Sequence, residues 1–198
     1  MGARNIPSHP KKGLRLKKLL VFFDEAGVSD RPTVRRTWAP RGCTPVIASA
    51  GGWKTRSVMG GIACWANGRN PRLLFMIRPA AVRSPDVIHY LQRLKRQRPG
   101  RMIIIFMDGL KAHWSKPVQA YLKQERSWLE AERLPAYAPE LNPMEYGWSA
   151  FRGKDAANVA PATTNLLDRM IRKGLRRIGR NEAVLKGCLR ASGLFKSI

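Results

Sequence analysis

The chain has 198 residues, 44% of them hydrophobic, which is enough for one globular domain with a buried core and excludes a wholly disordered chain. Its 37 Lys and Arg against 13 Asp and Glu leave a formal charge of +24, a self-repelling excess that wants a polyanionic partner, nucleic acid first. No apolar run approaches the ~18 residues of a spanning helix and no signal-peptide core follows the basic N-terminus, so a cytoplasmic, nucleoid-associated protein without membrane contact is expected.

Residues 1–18 read as a basic arm carrying Arg4, Lys11, Lys12, Arg15, Lys17 and Lys18. Residues 19–23 are a continuous apolar run that predicts a buried strand, with Asp24 and Glu25 emerging at its C-terminal end. Residues 26–45 are rich in Gly and Pro and predict a loop, with Thr37, Trp38 and Ala39 as a short extended piece. Residues 57–65 predict a strand whose Gly60-Gly61 pair marks a bulge or close packing. Asn67-Gly68 is a turn signal, and residues 73–77 complete a hairpin.

Ser84 as N-cap and Pro85 as first helical residue open a helix with Val87, Ile88, Leu91 and Leu94 on its apolar face. Pro99-Gly100 stops it. Residues 102–107 form the clearest buried strand and end in Asp108-Gly109. Ser115-Lys116-Pro117 starts a helix through about Gln124, and residues 128–134 form a short final strand. Asn142 caps a helix that begins at Pro143 and carries Glu145 in its first turn. A last helix covers roughly residues 163–180. Parallel buried strands with crossover helices imply an α/β sheet covered on both faces, with chemistry at the strands' carboxyl ends.

Asp24 and Asp108 each follow an apolar strand, where a bare carboxylate is costly unless paired or metal-bound. Singly, each has an ordinary explanation as a turn former or cap, and Glu145 as a complement to the helix dipole. Together they offer what phosphodiester cleavage needs, carboxylates from separate elements converging on two divalent ions. Oxygen donors suit Mg²⁺ or Mn²⁺, whereas Cys43, Cys64 and Cys188 are too scattered for a zinc site or a disulfide scaffold. Glu25 points to the opposite face of the strand and supports the site at most. His113 orients a phosphate or water, or merely caps the next helix. Asn142 is a cap rather than a ligand.

Arg169, Arg172, Lys173, Arg176, Arg177 and Arg180 recur at helical spacing opposite Leu167, Met170, Ile171, Leu175 and Ile178. This amphipathic pattern has a basic face with almost no acids to pair with, which points to DNA rather than to an ordinary solvated face. Arg93, Lys95 and Arg96, with Arg98 and Arg101, form a second basic cluster. Trp38, Trp65 and Trp148 are expected in the core or lining the site. Trp53 and Trp114 are also expected to pack, base stacking being their alternative.

The segments Phe22-Phe23-Asp24-Glu25-Ala26-Gly27 and Thr37-Trp38-Ala39-Pro40-Arg41-Gly42, the strand ending in Asp108 with His113 shortly after, and the run from Tyr137 to Trp148 with its Leu141-Asn142-Pro143-Met144-Glu145 core resemble the successive landmarks of mariner-type insertion-sequence transposases of the DDE superfamily. The resemblance implies a ribonuclease H-like (retroviral integrase-like) mixed sheet flanked by helices. It would occupy residues 19–155, followed by a basic helical extension at 156–198. It implies two Mg²⁺ (or Mn²⁺) ions, with Asp24 bridging both and Asp108 and Glu145 holding one each. Water then releases a 3′-hydroxyl at the element's end, and that hydroxyl attacks target DNA at TA dinucleotides. The implied partners are double-stranded DNA (transposon ends and target), a second copy of the chain in a homodimer on DNA, and a separately encoded helix-turn-helix protein, since only about 18 residues precede the first strand. Family members often carry Asn after the second Asp, where this chain has Gly109, a residue that lets backbone approach a phosphate. The rival readings are a non-catalytic basic nucleic-acid-binding protein and a same-fold nuclease that cuts without joining.

Overall fold

The computed structural model describes residues 18–49 and 52–195. The expected basic arm lies outside them apart from Lys18. Strand β1, Leu19–Ser29, starts in the run Leu-Leu-Val-Phe-Phe, and its alternation sends side chains to two different cores. Leu20 and Phe22 join one cluster; Leu19, Val21 and Phe23 join the other. Strands β2 (Thr55–Trp65), β3 (Arg72–Arg78), β4 (Ile103–Met107) and β5 (Leu129–Arg133) complete a five-stranded sheet of order β3-β2-β1-β4-β5. The β1–β2 and β2–β3 pairs are antiparallel, and the β1–β4 and β4–β5 pairs are parallel, giving the expected mixed sheet.

Helices α1 (Ser84–Gln97) and α2 (Lys116–Gln124) cover the face of Phe23, placing Tyr90, Leu91 and Val118 in its core. Helices α3 (Pro143–Lys154), α4 (Thr164–Arg180) and α5 (Glu182–Ala191) cover the face of Phe22. There Trp148, Phe151, Ile171, Leu175 and Leu189 pack into one cluster with the strands, so the helices after residue 155 share the core of the sheet.

The structure departs from the sequence expectations at several places. Strand β1 does not stop at Phe23 but runs to Ser29, because the long β2 continues the ladder as far as Ser29↔Thr55. Residues 26–29, expected as loop, are therefore strand. The β1–β4 pairing, by contrast, ends at Phe22↔Phe106. Asp24 thus lies just past the point where the two parallel strands separate. Gly60 and Gly61 make no bulge, since the β1–β2 register is unbroken; they provide close packing.

Trp38 is 99% exposed rather than in a core or site: the connection is tied down near its start, by the Thr33↔Ala157 bridge and the Arg35–Asn158 hydrogen bonds, and Trp38 lies beyond those ties. Trp53 is likewise exposed, with the Arg31 guanidinium 3.1 Å from its ring centre. The N-cap of α1 is Arg83, not Ser84. Its backbone N–H donates to the Asp86 carboxylate at 2.9 Å, which moves the start one residue earlier. The helix at 163–180 is not the last. Asn181 ends α4 and its side chain accepts from Val184 N–H at 3.1 Å, which starts α5.

Candidate active site

Three elements meet at the mouth between β1 and β4. Asp24 pairs across β1–β2 with Gly60, and the missing side chain there lets α3 come close: a Cβ on Gly60 would lie 2.7 Å from Met144 Cε and 2.8 Å from the Trp148 ring. Trp148 Nε1 donates to Asp24 Oδ2 at 2.9 Å. Asn142 is 3% exposed and works in two directions. Its Oδ1 accepts from Met144 N–H at 3.1 Å, and its Nδ2 donates to the Phe23 carbonyl at 3.3 Å. One side chain therefore caps α3 and ties that cap to β1 beside Asp24. Glu145, in the first turn of α3, is half-exposed, with Arg152 Nη2 3.9 Å from Oε2.

Asp108 follows β4 directly. Its Oδ1 accepts from Leu110 N–H at 3.0 Å and lies 2.7 Å from Nδ1 of the fully buried His113. The His113 ring sits edge-on to Phe23 with centroids 5.1 Å apart. Trp114 Nε1 donates to the Asp108 carbonyl at 2.6 Å. Trp114 packs against the α1–α2 core, as expected. Glu25 points away from Asp24, on the face that holds His113, and lies within electrostatic reach of His113 and Asp108.

The electrostatics separate the acids. Burial, then the charges of Glu145 and Asp108, push the Asp24 carboxyl up to about 7, against the pull of the Trp148 hydrogen bond. Asp108 moves the other way, since His113 above all, and more weakly the Leu110 N–H and Arg133, hold its carboxyl below the usual range. Burial also raises Glu25. Asp24, Asp108 and Glu145 line one cleft of about 800 Å³ together with Lys111, Arg133 and Tyr137. Among the described residues no group of three or more His, Cys, Asp or Glu side chains is gathered closely enough to hold a metal ion as it stands. The acids instead stand around an open cleft. All-oxygen donors that crowd one another's charge fit hard divalent cations such as Mg²⁺ or Mn²⁺.

The basic residues fall into two groups. Arg169, Arg172, Lys173, Arg176 and Arg180 are exposed along α4 and line a separate groove of about 1000 Å³ that none of the three acids touches. Arg177 belongs to the same sequence pattern, but its guanidinium grips Asp155, the C-cap of α3, with contacts of 2.6 and 3.0 Å. Lys95 pairs with Glu125 at 2.6 Å and stands over the Trp128 ring. Arg93 reaches the Phe75 carbonyl at 3.5 Å, and Arg96 is exposed. Sequence reasoning passed over Arg133 in the cleft; Trp148 was expected in the core or lining the site, but not its indole N–H bond to Asp24. The Leu-Asn-Pro-x-Glu run was the available signal for Trp148, whereas nothing local marks Arg133.

An acid-lined cleft where two parallel strands part, in a mixed sheet of this order with helices on both faces, defines a ribonuclease H-like fold. The family follows from the sequence: the model described as DDE superfamily endonuclease matches residues 19–163, and the chain belongs to that superfamily. No curated protein matches it. Among solved structures, the Mos1 mariner paired-end complex with Mn aligns with a TM-score of 0.65 at 15% identity, covering 95% of this chain and 57% of that one. The Mos1 transposase paired-end complex with left transposon end aligns at 0.57 and 16%, covering 98% and 66%. The Mos1 strand transfer complex aligns at 0.56 and 15%, covering 98% and 65%. The chain therefore spans about three fifths of the first of these chains and about two thirds of the others, and at such identity the likeness is one of fold.

Proposed function

We propose that this chain is the catalytic domain of a mariner-type insertion-sequence transposase, which cuts DNA at element ends and joins the released 3′-hydroxyl to target DNA. In this reading Asp24, Asp108 and Glu145 hold two Mg²⁺ or Mn²⁺ ions. One observation carries it: three acids far apart in the chain meet in one cleft, where burial and mutual repulsion raise Asp24 to about 7. Such a cluster is unfavourable as bare anions and is relieved by hard cations. When bound, the ions supply an activated water and neutralise charge on the leaving oxygen.

The chain's own residues prepare the site. Trp148 fixes one oxygen of Asp24 and leaves the other outside that bond. His113 fixes one oxygen of Asp108. Asn142 holds the start of α3, and with it Glu145, against β1. The exposed arginines of α4, with Arg96 of α1, would take DNA phosphates. The chain would work in the cytoplasm, at the nucleoid, as a homodimer on DNA.

Titration calorimetry with Mn²⁺ tests the site: wild type takes up metal and Asp24→Asn does not. Plasmid nicking above an Asp108→Ala control then tests cleavage, and joining of pre-cut ends to a target plasmid separates a transposase from a plain nuclease. Absence of Mn²⁺ uptake by the wild-type chain would sink the reading.

A further inference from the structure

Gly109, next to Asp108, has a neighbour that fills the space a side chain would take. A Cβ built there would lie 2.3 Å from Arg133 Nη2 and 3.0 Å from both Cζ and Nε. The guanidinium therefore lies over the backbone of Gly109, and Nη2 donates to its carbonyl at 3.3 Å. The parallel register places it there: Arg133 is the last residue of β5 and pairs with Met107, the last of β4, so its side chain starts level with the beginning of the Asp108 turn. Arg133 is exposed and lines the same cleft as the three acids. A guanidinium has five N–H donors in a planar fork that matches phosphate, and the carbonyl takes one of them.

We propose that Arg133, seated over Gly109, binds a DNA phosphate in the acid-lined cleft, next to the phosphate that undergoes reaction. The proposal rests on the metal-dependent reading of that cleft. Three carboxylates alone would repel DNA, and cations among them reverse the sign, so Arg133 contributes only when metal is present. Gly109 then serves to make room for a side chain rather than to bring its own backbone to the phosphate. The three atoms nearest an added methyl at Gly109 all belong to the far end of the Arg133 side chain, so Gly109→Ala displaces the guanidinium with little effect on the fold.

The test measures binding of a short fluorescent DNA duplex to the full chain across a KCl series, with Mn²⁺ and with EDTA. Wild type, Arg133→Ala, Arg133→Lys, Gly109→Ala and the Gly109→Ala/Arg133→Ala double variant are compared, with melting temperatures alongside. In Mn²⁺, Arg133→Ala weakens binding about tenfold and lowers the salt slope by about one. Arg133→Lys keeps the slope and loses affinity, because the charge remains and the fork does not. Gly109→Ala melts like wild type, binds like Arg133→Ala, and adds nothing in the double variant. An unchanged slope in Arg133→Ala, while Mn²⁺ uptake by calorimetry is intact, overturns the proposal and leaves the metal site standing. Equal losses in Mn²⁺ and EDTA make Arg133 a general surface contact, and additive losses in the double variant separate it from Gly109; either overturns the proposal. No Mn²⁺ uptake by wild type overturns the metal reading and Arg133's role with it.

Discussion

Asp24 occupies mid-strand, between a glycine that makes room and an indole that donates to it. Its carboxyl is near 7 in the folded chain against 3.8 unperturbed, so the folded state holds its proton more tightly than the unfolded state. The stability this contributes is fully present below about 3.8 and lost as pH rises through about 7. The metal-free protein should therefore melt at lower temperature as pH rises from about 4 to about 8, and Asp24→Asn should flatten that dependence. At the upper end Asp24→Asn should raise the melting temperature by roughly 10 °C, read by circular dichroism in EDTA. A variant as pH-dependent as wild type would show that Asp24 does not carry the effect. Asp24 and Asp108 were legible as candidates because an acid directly after an apolar run stands out. Arg133 was not, because its place depends on the β4–β5 register and on a side chain that Gly109 lacks.

At the scale of elements, the approach of α3 to β2 sets the cleft. Gly60 sits opposite Asp24 and under Met144 and Trp148, and Gly61 sits under the Tyr90 hydroxyl on the other face. Gly60→Ala should push α3 outward, costing about 1–3 kcal/mol of stability as an overpacked core does. It should also weaken Mn²⁺ binding by loosening Trp148 from Asp24. Chemical denaturation and calorimetry would measure both, and unchanged metal affinity would uncouple helix from site. The strands and most helices could be read from the sequence, since apolar runs bounded by Asn-Gly, Pro-Gly and Ser-Pro signals are local. The far half of β1 could not, because its pairing comes from β2, and α5 was missed because one residue, Asn181, both ends a helix and starts the next.

For the whole molecule, the +24 charge divides into basic residues used inside the protein and basic residues left to solvent. Arg177 holds α4 to the end of α3 through Asp155, and Arg56 pairs with Asp168 at 2.7 Å. Periodicity in sequence cannot make this distinction, since the acids that answer these arginines come from other elements. The exposed set should carry DNA: changing Arg172, Arg176 and Arg180 together to Ala should lower the salt slope of duplex binding by about three. An unaltered slope and affinity would remove α4 from the DNA path. No helix among the described residues is long and apolar enough to cross a membrane.

Among the described residues the sheet is open, and its outer strands β3 and β5 each have one edge with no neighbouring strand. Both are studded with charge: Arg72 and Arg78 at the ends of one, and Glu130, Glu132 and Arg133 along the other. Charged side chains on a border strand discourage a second copy from adding its own strand there. Salt screens that repulsion, so concentrated salt weakens the chain's guard against strand-to-strand aggregation.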